Sequence, residues 1–250
     1  MHQNIGIKVT PNYSPNFNLE KRSKKKIKFI IIHYTGMKTE SDAIKKLQDP
    51  KSKVSSHFYI KKNGNILVLV PELYEAWHAG ISYWKNYKLL NKHSIGIELT
   101  NPGHQYGYKN FTSDQIISLK KLLNYLIKKY KINKEFVLGH SDISPDRKKD
   151  PGEKFPWQTL SKSKLSYWHN LDPIKIKKHR MVKLTSENEK NRFFKNLCKI
   201  GYNNIKASKS DINNKYLIIA FQRRFRQSLI NGKIDKECLL ISNNLTLNKR

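Results

Sequence analysis

Phe29-Ile30-Ile31-Ile32-His33 is an apolar run that ends in a histidine. An uninterrupted apolar run favours a β-strand that is covered on both faces, as in a sheet between layers of helices. A second run, Phe136-Val137-Leu138-Gly139, is followed in the same way by His140. The sequence therefore predicts two buried strands of one sheet, with both histidine side chains projecting from the same rim.

A carboxylate follows the second histidine at short range, because Asp150 lies in the stretch Pro145-Asp146-Arg147-Lys148-Lys149-Asp150-Pro151-Gly152. Two neutral imidazoles and one carboxylate make a tetrahedral zinc site whose fourth position stays open to water, as catalytic zinc requires. A lone histidine at a strand end is more often only packed and hydrogen-bonded. Three candidates in matched contexts reverse that preference, and we expect His33, His140 and Asp150 to hold one Zn²⁺ per chain.

The segment Ile95-Gly96-Ile97-Glu98-Leu99 predicts a strand with two different faces. The aliphatic residues recur with a period of two, which places Glu98 on the opposite face from them. A carboxylate beside a metal-bound water would take up its proton, so Glu98 is the candidate general base. A solvent-facing strand residue fits the same alternation equally well.

Lys148 stands two residues before Asp150. Because a proline such as Pro151 favours an extended backbone at the preceding residue, both side chains would point to the same side of the loop. An ammonium group there would stabilise the oxyanion of a tetrahedral intermediate. Lys148 is also explained as one more surface lysine. Lys149 lies one residue out of phase and is expected to face away.

Local patterns elsewhere predict an α/β domain with a central mixed β-sheet flanked by helices. The pair Asn63-Gly64 lies between the apolar runs 57–60 and 66–70 and indicates a β-hairpin. Thr112-Ser113-Asp114-Gln115 has the form of a capping box, and the helix that it starts extends to Lys128-Lys129. Strands that alternate with a long helix are typical of this fold class.

The pattern changes along the chain and predicts four parts. They are an N-terminal extension (1–24), a zinc-dependent catalytic domain (25–170), a polar, lysine-rich linker (171–185) and a small all-α C-terminal domain of three helices (186–250). The predicted core of the C-terminal domain consists of Leu197, Ile218, Phe221, Phe225 and Leu239.

The formal net charge is +30, which would suit a polyanionic partner such as nucleic acid, an acidic membrane surface or an anionic wall polymer. The lysines are spread along the whole chain together with abundant Asn and Ile, which a coding bias explains as simply. No finger, helix-turn-helix or aromatic RNA motif accompanies the charge, so we expect no specific nucleic-acid partner.

The N-terminal sequence Met1-His2-Gln3-Asn4-Ile5-Gly6 shows no apolar signal core and no lipid-attachment cysteine, and no stretch of the chain is long and apolar enough to span a membrane. The first apolar run is already the strand that carries His33. As written, the chain is expected to be unexported and therefore cytoplasmic.

Five separate blocks recur in the order and spacing of one known family. The blocks are Ile31-Ile32-His33-Tyr34-Thr35, Val54-Ser55-Ser56-His57-Phe58, Ala76-Trp77-His78-Ala79-Gly80, Ser94-Ile95-Gly96-Ile97-Glu98, and Gly139-His140-Ser141-Asp142-Ile143 with its continuation through Asp150-Pro151-Gly152 to Phe155-Pro156-Trp157. Together they resemble the type 2 N-acetylmuramoyl-L-alanine amidases and look most like the AmiD branch. The resemblance covers about residues 25 to 165.

This resemblance implies the type 2 amidase fold and hydrolysis of the amide between N-acetylmuramic acid and L-alanine of the stem peptide, in peptidoglycan turnover or recycling. Whether the sugar must carry a 1,6-anhydro end is left open. In the family, the residues matching His33, His140 and Asp150 hold zinc, and those matching Glu98 and Lys148 act in catalysis.

The blocks around His57, Trp77 and His78 lie beside the cleft in that family, so the resemblance implies substrate contact for these side chains. Core packing and hydrogen bonding to loops explain them about equally well. A non-catalytic peptidoglycan-recognition protein with the same fold is the main alternative for the whole chain. Such binders commonly lose a metal ligand, whereas this sequence keeps the full set.

The C-terminal segments Ile200-Gly201-Tyr202, Ala220-Phe221-Gln222-Arg223-Arg224-Phe225 and Asn231-Gly232-Lys233-Ile234-Asp235 resemble a peptidoglycan-binding three-helix module. Such a module would raise the effective concentration of the catalytic domain on a polymeric substrate. Members of the AmiD branch are exported lipoproteins, so the resemblance implies the periplasm or cell envelope, in contrast to the expectation from the N-terminal sequence.

Overall fold

A six-stranded mixed β-sheet lies at the centre of the fold. The structure is a computed structural model that describes residues 9–202 and 211–247, without the side chains of 211–213. The strands are β1 (Val9–Pro11), β2 (Phe17–Asn18), β3 (Phe29–Tyr34), β4 (Phe58–Ile60), β5 (Ile66–Val68), β6 (Glu75–Ala76), β7 (Tyr83–Trp84), β8 (Tyr87–Lys88), β9 (Ser94–Leu99) and β10 (Val137–Gly139). The central sheet has the order β1-β5-β4-β9-β3-β10, and β2–β6 and β7–β8 form two small antiparallel ribbons.

Neighbouring strands of the central sheet run parallel except in the hairpin pair β4–β5. The predicted mixed sheet and the predicted hairpin are thus confirmed. In the hairpin turn, Gly64 donates its N–H to the Lys61 carbonyl at 2.9 Å and has a φ of +79°. A Cβ on Gly64 would lie 2.8 Å from the Asp114 carbonyl oxygen, so both the turn and the packing require glycine.

Helices cover both faces of this sheet. The predicted capping box is present, because Thr112 Oγ1 accepts the Gln115 N–H at 3.1 Å and Gln115 Oε1 accepts the Thr112 N–H at 3.0 Å. The helices of the described residues are α1 (Glu40–Gln48), α2 (Ser113–Tyr130), α3 (His140–Ile143), α4 (Trp157–Lys162), α5 (Pro173–Lys177), α6 (Glu187–Ile200), α7 (Asp211–Phe225) and α8 (Lys236–Leu247). None of them is both long and apolar enough to cross a membrane.

Successive side chains of β3 enter two separate hydrophobic clusters. Ile30 and Ile32 pack on one face with α2 residues such as Leu119. Phe29 and Ile31 point to the opposite face, into a cluster that includes residues of α6, α7 and α8. By the same alternation His33 leaves the strand on the side of this second cluster.

The C-terminal helices share a core with the sheet. The residues predicted for their core are all buried, namely Leu197, Ile218, Phe221, Phe225 and Leu239. These side chains form one continuous cluster with Phe29, Ile31 and Leu138 of the sheet. The three predicted helices are therefore present, and they pack directly on the part of the chain that forms the sheet.

Two segments that the sequence presents as connections carry regular structure. Within the predicted linker 171–185, α5 buries Ile176 in the second cluster. Within the predicted extension 1–24, β1 joins the edge of the central sheet and β2 pairs with β6, while residues 1–8 lie outside the described residues. Elements this short leave no periodic pattern in a polar stretch. The division of the chain at these boundaries stays a prediction.

A buried ion pair joins α7 to the segment that starts at His140. Arg224 donates from Nη1 to Asp142 Oδ2 at 3.0 Å, and Tyr202 donates its hydroxyl hydrogen to Asp142 Oδ1 at 2.7 Å. Asp142 Oδ2 also accepts the Gly139 N–H at 2.7 Å. The C-terminal helices thereby hold the backbone on both sides of His140.

We expect Arg224→Met to lower the free energy of unfolding by about 3 kcal/mol, because it leaves the Asp142 carboxylate buried without its cation. Urea unfolding of the full chain measures this loss. Arg223→Met is the matched control, since it removes the same charge from a side chain whose Nε lies 3.9 Å from Glu153. Equal losses in the two variants would contradict the importance of the Asp142 pair.

Candidate metal centre

Parallel pairing of β3 with β10 places two histidines side by side. The strands pair in register up to the residue before each histidine, so His33 and His140 meet at the carboxyl end of the sheet. The loop after α3 returns to the same place, where Ser141 donates its N–H to the Asp150 carbonyl at 2.8 Å. The structure thus brings together the three side chains expected to bind metal.

The three candidate ligand atoms form a nearly equilateral triangle. His33 Nδ1 lies 2.9 Å from His140 Nδ1, and Asp150 Oδ2 lies 3.0 Å from the first and 3.1 Å from the second. All three side chains are buried. In a tetrahedral zinc site with bonds of about 2.0–2.1 Å, ligand atoms lie about 3.3 Å apart. The cluster therefore fits such an ion after widening by about 0.3 Å.

A backbone carbonyl sets the orientation of the His140 ring. His140 Nε2 lies 3.1 Å from the Ala79 carbonyl oxygen, and a carbonyl only accepts, so Nε2 carries the ring proton. In the neutral ring, Nδ1 then presents a lone pair to Asp150 Oδ2 at 3.1 Å. Two acceptors this close repel unless a cation lies between them, and the donor set therefore fits a metal ion.

The protonation states of the cluster also suit a metal. Burial, followed by the effect of His140, lowers the pKa of His33 to about 4, so this imidazole is neutral near pH 7. Burial alone would raise the pKa of Asp150, but His140 and His33 together outweigh it and hold the pKa of this carboxyl well below its usual range. Neutral imidazoles and an ionised carboxylate are the forms that bind metal ions.

Glu98 lies beside His33 on β9, because the register pairs these two residues. The aliphatic residues of β9 are fully buried in the first cluster, so the predicted alternation is confirmed and Glu98 faces the histidines. Its Oε2 is buried and has no hydrogen-bond partner among the residues that the structure describes. Burial, and next the charge of Asp150, raise the pKa of Glu98 to about 8. Such a carboxylate is a candidate general base.

A cavity of about 680 Å³ opens beside the cluster. The expected site residues that line it are His33, His140, Asp150, Glu98, Lys148, Trp77 and His78. Cations outnumber carboxylates in the lining, with Lys46, Arg147, Lys148 and Lys149 against Glu98 and Asp150. This balance suits a substrate that carries carboxylates.

The position of Lys149 differs from the expectation that it faces away, because Lys149 also lines the cavity. The expectation assumed an extended loop with alternating side chains. Instead, Arg147 and Lys148 both donate their N–H groups to the Ser144 carbonyl, at 3.2 Å and 3.0 Å, so this stretch is a turn. Neighbouring residues of a turn can approach the same cavity.

His57 does not fit the expectation of substrate contact, because it is fully buried and is not among the residues that line the cavity. Its Nδ1 accepts the Gly96 N–H at 2.9 Å, and its Nε2 lies 3.0 Å from the Tyr74 carbonyl oxygen. His57 therefore joins β9 to the loop at Tyr74 and has a packing role.

Several cavity residues escape sequence reasoning, including Lys46 of α1 and the loop residues His104 and Gln105. His104 is ordered by Tyr34, whose hydroxyl lies 2.8 Å from its Nδ1, and by Glu153 at 3.1 Å from its Nε2. The available signal is position alone, since this loop follows the strand that carries Glu98 and loops at the carboxyl ends of parallel strands commonly build sites.

A buried cluster of two histidines and one carboxylate that opens into a cavity, with a further carboxylate beside it, is arranged for metal-assisted hydrolysis. The fold and the cluster are therefore those expected of a metal-dependent hydrolase. The profile of the N-acetylmuramoyl-L-alanine amidase family matches residues 23–153, which is more than half of the chain. The chain belongs to this family.

Curated relatives agree with this assignment. The N-acetylmuramoyl-L-alanine amidase AmiD of Escherichia coli strain K12 is 36% identical over 234 residues, which span 87% of this chain and 81% of that protein. The 1,6-anhydro-N-acetylmuramyl-L-alanine amidase AmpD of Haemophilus influenzae is 36% identical over 163 residues, which span 58% of this chain and 86% of that protein.

Solved structures show the same fold over nearly the whole chain. A complex of E. coli AmiD with anhydro-N-acetylmuramic acid-L-Ala-D-γ-Glu-L-Lys has a TM-score of 0.78 at 33% identity and covers 93% of both chains. Pseudomonas aeruginosa AmpDh3 in complex with an anhydromuramic pentapeptide has a TM-score of 0.78 at 27% identity and covers 93% of this chain and 96% of that one. The expected family and fold class are confirmed.

We expect Glu98→Gln to stabilise the metal-free protein at alkaline pH. The pKa of Glu98 rises from 4.5 to about 8 on folding, so folding opposes its ionisation and the wild type loses stability as pH rises through this window. The advantage of the variant should be small near pH 5 and on the order of 2 kcal/mol near pH 9, after allowance for partial solvation. Urea unfolding with chelator present measures it, and an advantage independent of pH would contradict the raised pKa.

Proposed function

We propose that this protein hydrolyses the amide bond between N-acetylmuramic acid and the L-alanine of peptidoglycan stem peptides. One observation carries the proposal: His33, His140 and Asp150 converge in a cavity beside Glu98, whose buried Oε2 has no hydrogen-bond partner in the described part of the chain. Membership of the amidase family identifies the bond, and the cavity contains groups of the kind needed to cleave it.

Zinc is the proposed metal, with Nδ1 of His33 and His140 and Oδ2 of Asp150 as ligands. When bound, zinc would lower the pKa of a water molecule to about 7 and polarise the substrate carbonyl. One ion per chain is proposed, since one cluster of at least three candidate ligands is found in residues 9–202 and 211–247.

Glu98 is the proposed general base. Its carboxylate takes a proton from the attacking water, whose oxygen bonds to the amide carbon. The carbon–nitrogen bond then breaks, and Glu98 returns the proton to the nitrogen of L-alanine. A carboxylate with a raised pKa is suited to both transfers, and a cation beside it brings the pKa back toward neutrality.

Lys148 is proposed to stabilise the negative charge that develops on the carbonyl oxygen. The charge of its ammonium group contributes to the lowered pKa of His33 and partly offsets the raised pKa of Glu98. The other cations of the cavity are placed to attract stem-peptide carboxylates. Trp77 lines the cavity, its indole N–H donates to Asn18 Oδ1 at 3.0 Å, and substrate contact is its proposed role.

We further propose that the 1,6-anhydro form of muramic acid is accepted, in turnover or recycling of peptidoglycan. The AmiD and AmpDh3 structures that align with this chain contain anhydromuramyl peptides. The C-terminal helices are proposed to contact peptidoglycan, and their shared core with the sheet would hold the cavity close to the polymer. The curated relatives are bacterial. The choice between cytoplasm and cell envelope stays a prediction.

The test is incubation of the purified protein with anhydromuropeptides and, separately, with purified wall, followed by mass analysis and zinc measurement on the same sample. We expect release of a free stem peptide, loss of this activity on chelation and its return with zinc. A peptidoglycan-recognition protein would leave the muropeptide intact, and full activity without metal would contradict the proposed site.

Glu98→Gln should retain zinc and lose activity by about a hundredfold to ten-thousandfold, because a positioned general base is worth that much in rate. Glu135→Gln is the matched control. Glu135 lines a different, small cavity that does not contain the metal cluster. Unchanged turnover in Glu98→Gln would remove Glu98 from its proposed role.

A further inference from the structure

A chain of hydrogen bonds leads from His33 away from the metal cluster. His33 Nε2 lies 3.0 Å from His78 Nδ1, and His78 Nε2 lies 3.1 Å from Ser94 Oγ. Ser94 Oγ lies 2.6 Å from the Leu90 carbonyl oxygen. His33, His78 and Ser94 are all buried, so water does not compete freely for these hydrogen bonds.

The Leu90 carbonyl group determines which atom donates in each of these hydrogen bonds. Two oxygen atoms at 2.6 Å need a hydrogen between them, and a carbonyl carries none, so Ser94 donates to Leu90. Because its hydrogen is used in this way, Ser94 Oγ accepts from His78 Nε2–H. A neutral His78 then has a lone pair on Nδ1, which accepts from His33 Nε2–H. The lone pair of His33 Nδ1 then faces the other two candidate ligands, His140 and Asp150.

Packing holds the His78 ring in this position. A Cβ on Gly96 would lie 2.5 Å from His78 Cγ, so the ring occupies the space that glycine leaves on β9. The rings of His33 and His57 stand edge-on to it, at centroid distances of 5.2 Å and 5.6 Å. Asn91 Oδ1 accepts the backbone N–H of His78 at 3.1 Å. The ring is therefore fixed from several sides.

We propose that His78 and Ser94 are positioning residues that hold His33 in the Nε2–H tautomer, with the Nδ1 lone pair directed at the metal. The inference rests on the metal site of the proposed function. A ring with its proton on Nδ1 does not coordinate through that atom, so the tautomer affects metal affinity. The two histidine ligands thus depend on carbonyl groups in different ways, His140 directly on Ala79 and His33 through two intervening side chains.

The first test compares His78→Leu with His78→Asn, two side chains of similar size. Asn Oδ1 takes the place of the His78 Nδ1 acceptor, whereas Leu leaves His33 Nε2–H without a partner. We expect His78→Leu to weaken zinc affinity by about 10- to 100-fold and His78→Asn to restore most of it. Competition with a chromophoric chelator measures this affinity. Wild-type affinity in His78→Leu would overturn the proposal.

The second test is the nitrogen NMR spectrum of the histidine rings in the metal-free protein. We expect His33 to carry its proton on Nε2 in the wild type and to show a mixture of tautomers in Ser94→Ala. Ser166→Ala is the matched control, since Ser166 is also buried and also donates its hydroxyl hydrogen to a backbone carbonyl, that of Trp157, at 2.9 Å. An Nδ1–H form of His33 in the wild type, or an unchanged tautomer in Ser94→Ala, would contradict the proposal.

These measurements separate failure of the inference from failure of the proposed function. A wild-type protein that binds no zinc would refute the metal site, while the NMR spectrum would still test the hydrogen-bond chain. A wild type that binds zinc and cleaves muropeptides, with unchanged affinity and tautomer in the variants, would refute only the positioning role. Should His78→Leu fail to fold, His78→Asn and Ser94→Ala still decide the question.

Discussion

The parallel pairing of β3 with both β9 and β10 is the constraint on which the rest of the structure depends. Its register places His33 beside Glu98 on one side and next to His140 on the other. A slip of one residue would turn His33 to the opposite face, into the cluster with α2. Such a slip would also exchange the side chains between two well-packed clusters, so the apolar residues of β3 hold the register that the metal cluster needs.

The environment of this sheet edge gives its two carboxylates opposite properties. The neighbouring imidazoles keep Asp150 ionised, whereas burial and the charge of Asp150 raise the pKa of Glu98 to about 8. Carboxylates whose pKa values are pushed apart by their surroundings commonly divide the roles of charge holder and proton carrier. Here the same division separates Asp150, the proposed metal ligand, from Glu98, the proposed general base. Among the described residues, the cations that line the cavity are Lys46, Arg147, Lys148 and Lys149, and these are the ones proposed to act on the substrate.

The C-terminal helices support the segment that carries His140. They complete the second hydrophobic cluster under β3, and α7 contributes Arg224 to Asp142, two residues after His140. Because Asp142 also accepts the Gly139 N–H, a change in the packing of these helices would shift the neighbouring His140, a candidate metal ligand. Sequence similarity alone suggested an attached module, whereas the shared core makes the helices part of the support of the site.

The sequence by itself determined the sheet with its flanking helices, the three candidate ligands and the face of Glu98. The sheet, the helices and the face of Glu98 follow from period-two alternation, turn chemistry and helix capping, all of which act between residues close in the chain. The candidate ligands follow from their positions after apolar runs and from the resemblance to the amidase family. Tertiary structure alone decided that His57 is buried, that Lys149 reaches the cavity, that His78 lies within hydrogen-bond distance of His33 and that Arg224 pairs with Asp142. The last two contacts join residues 45 and 82 positions apart, and no local pattern records a hydrogen bond between such distant groups.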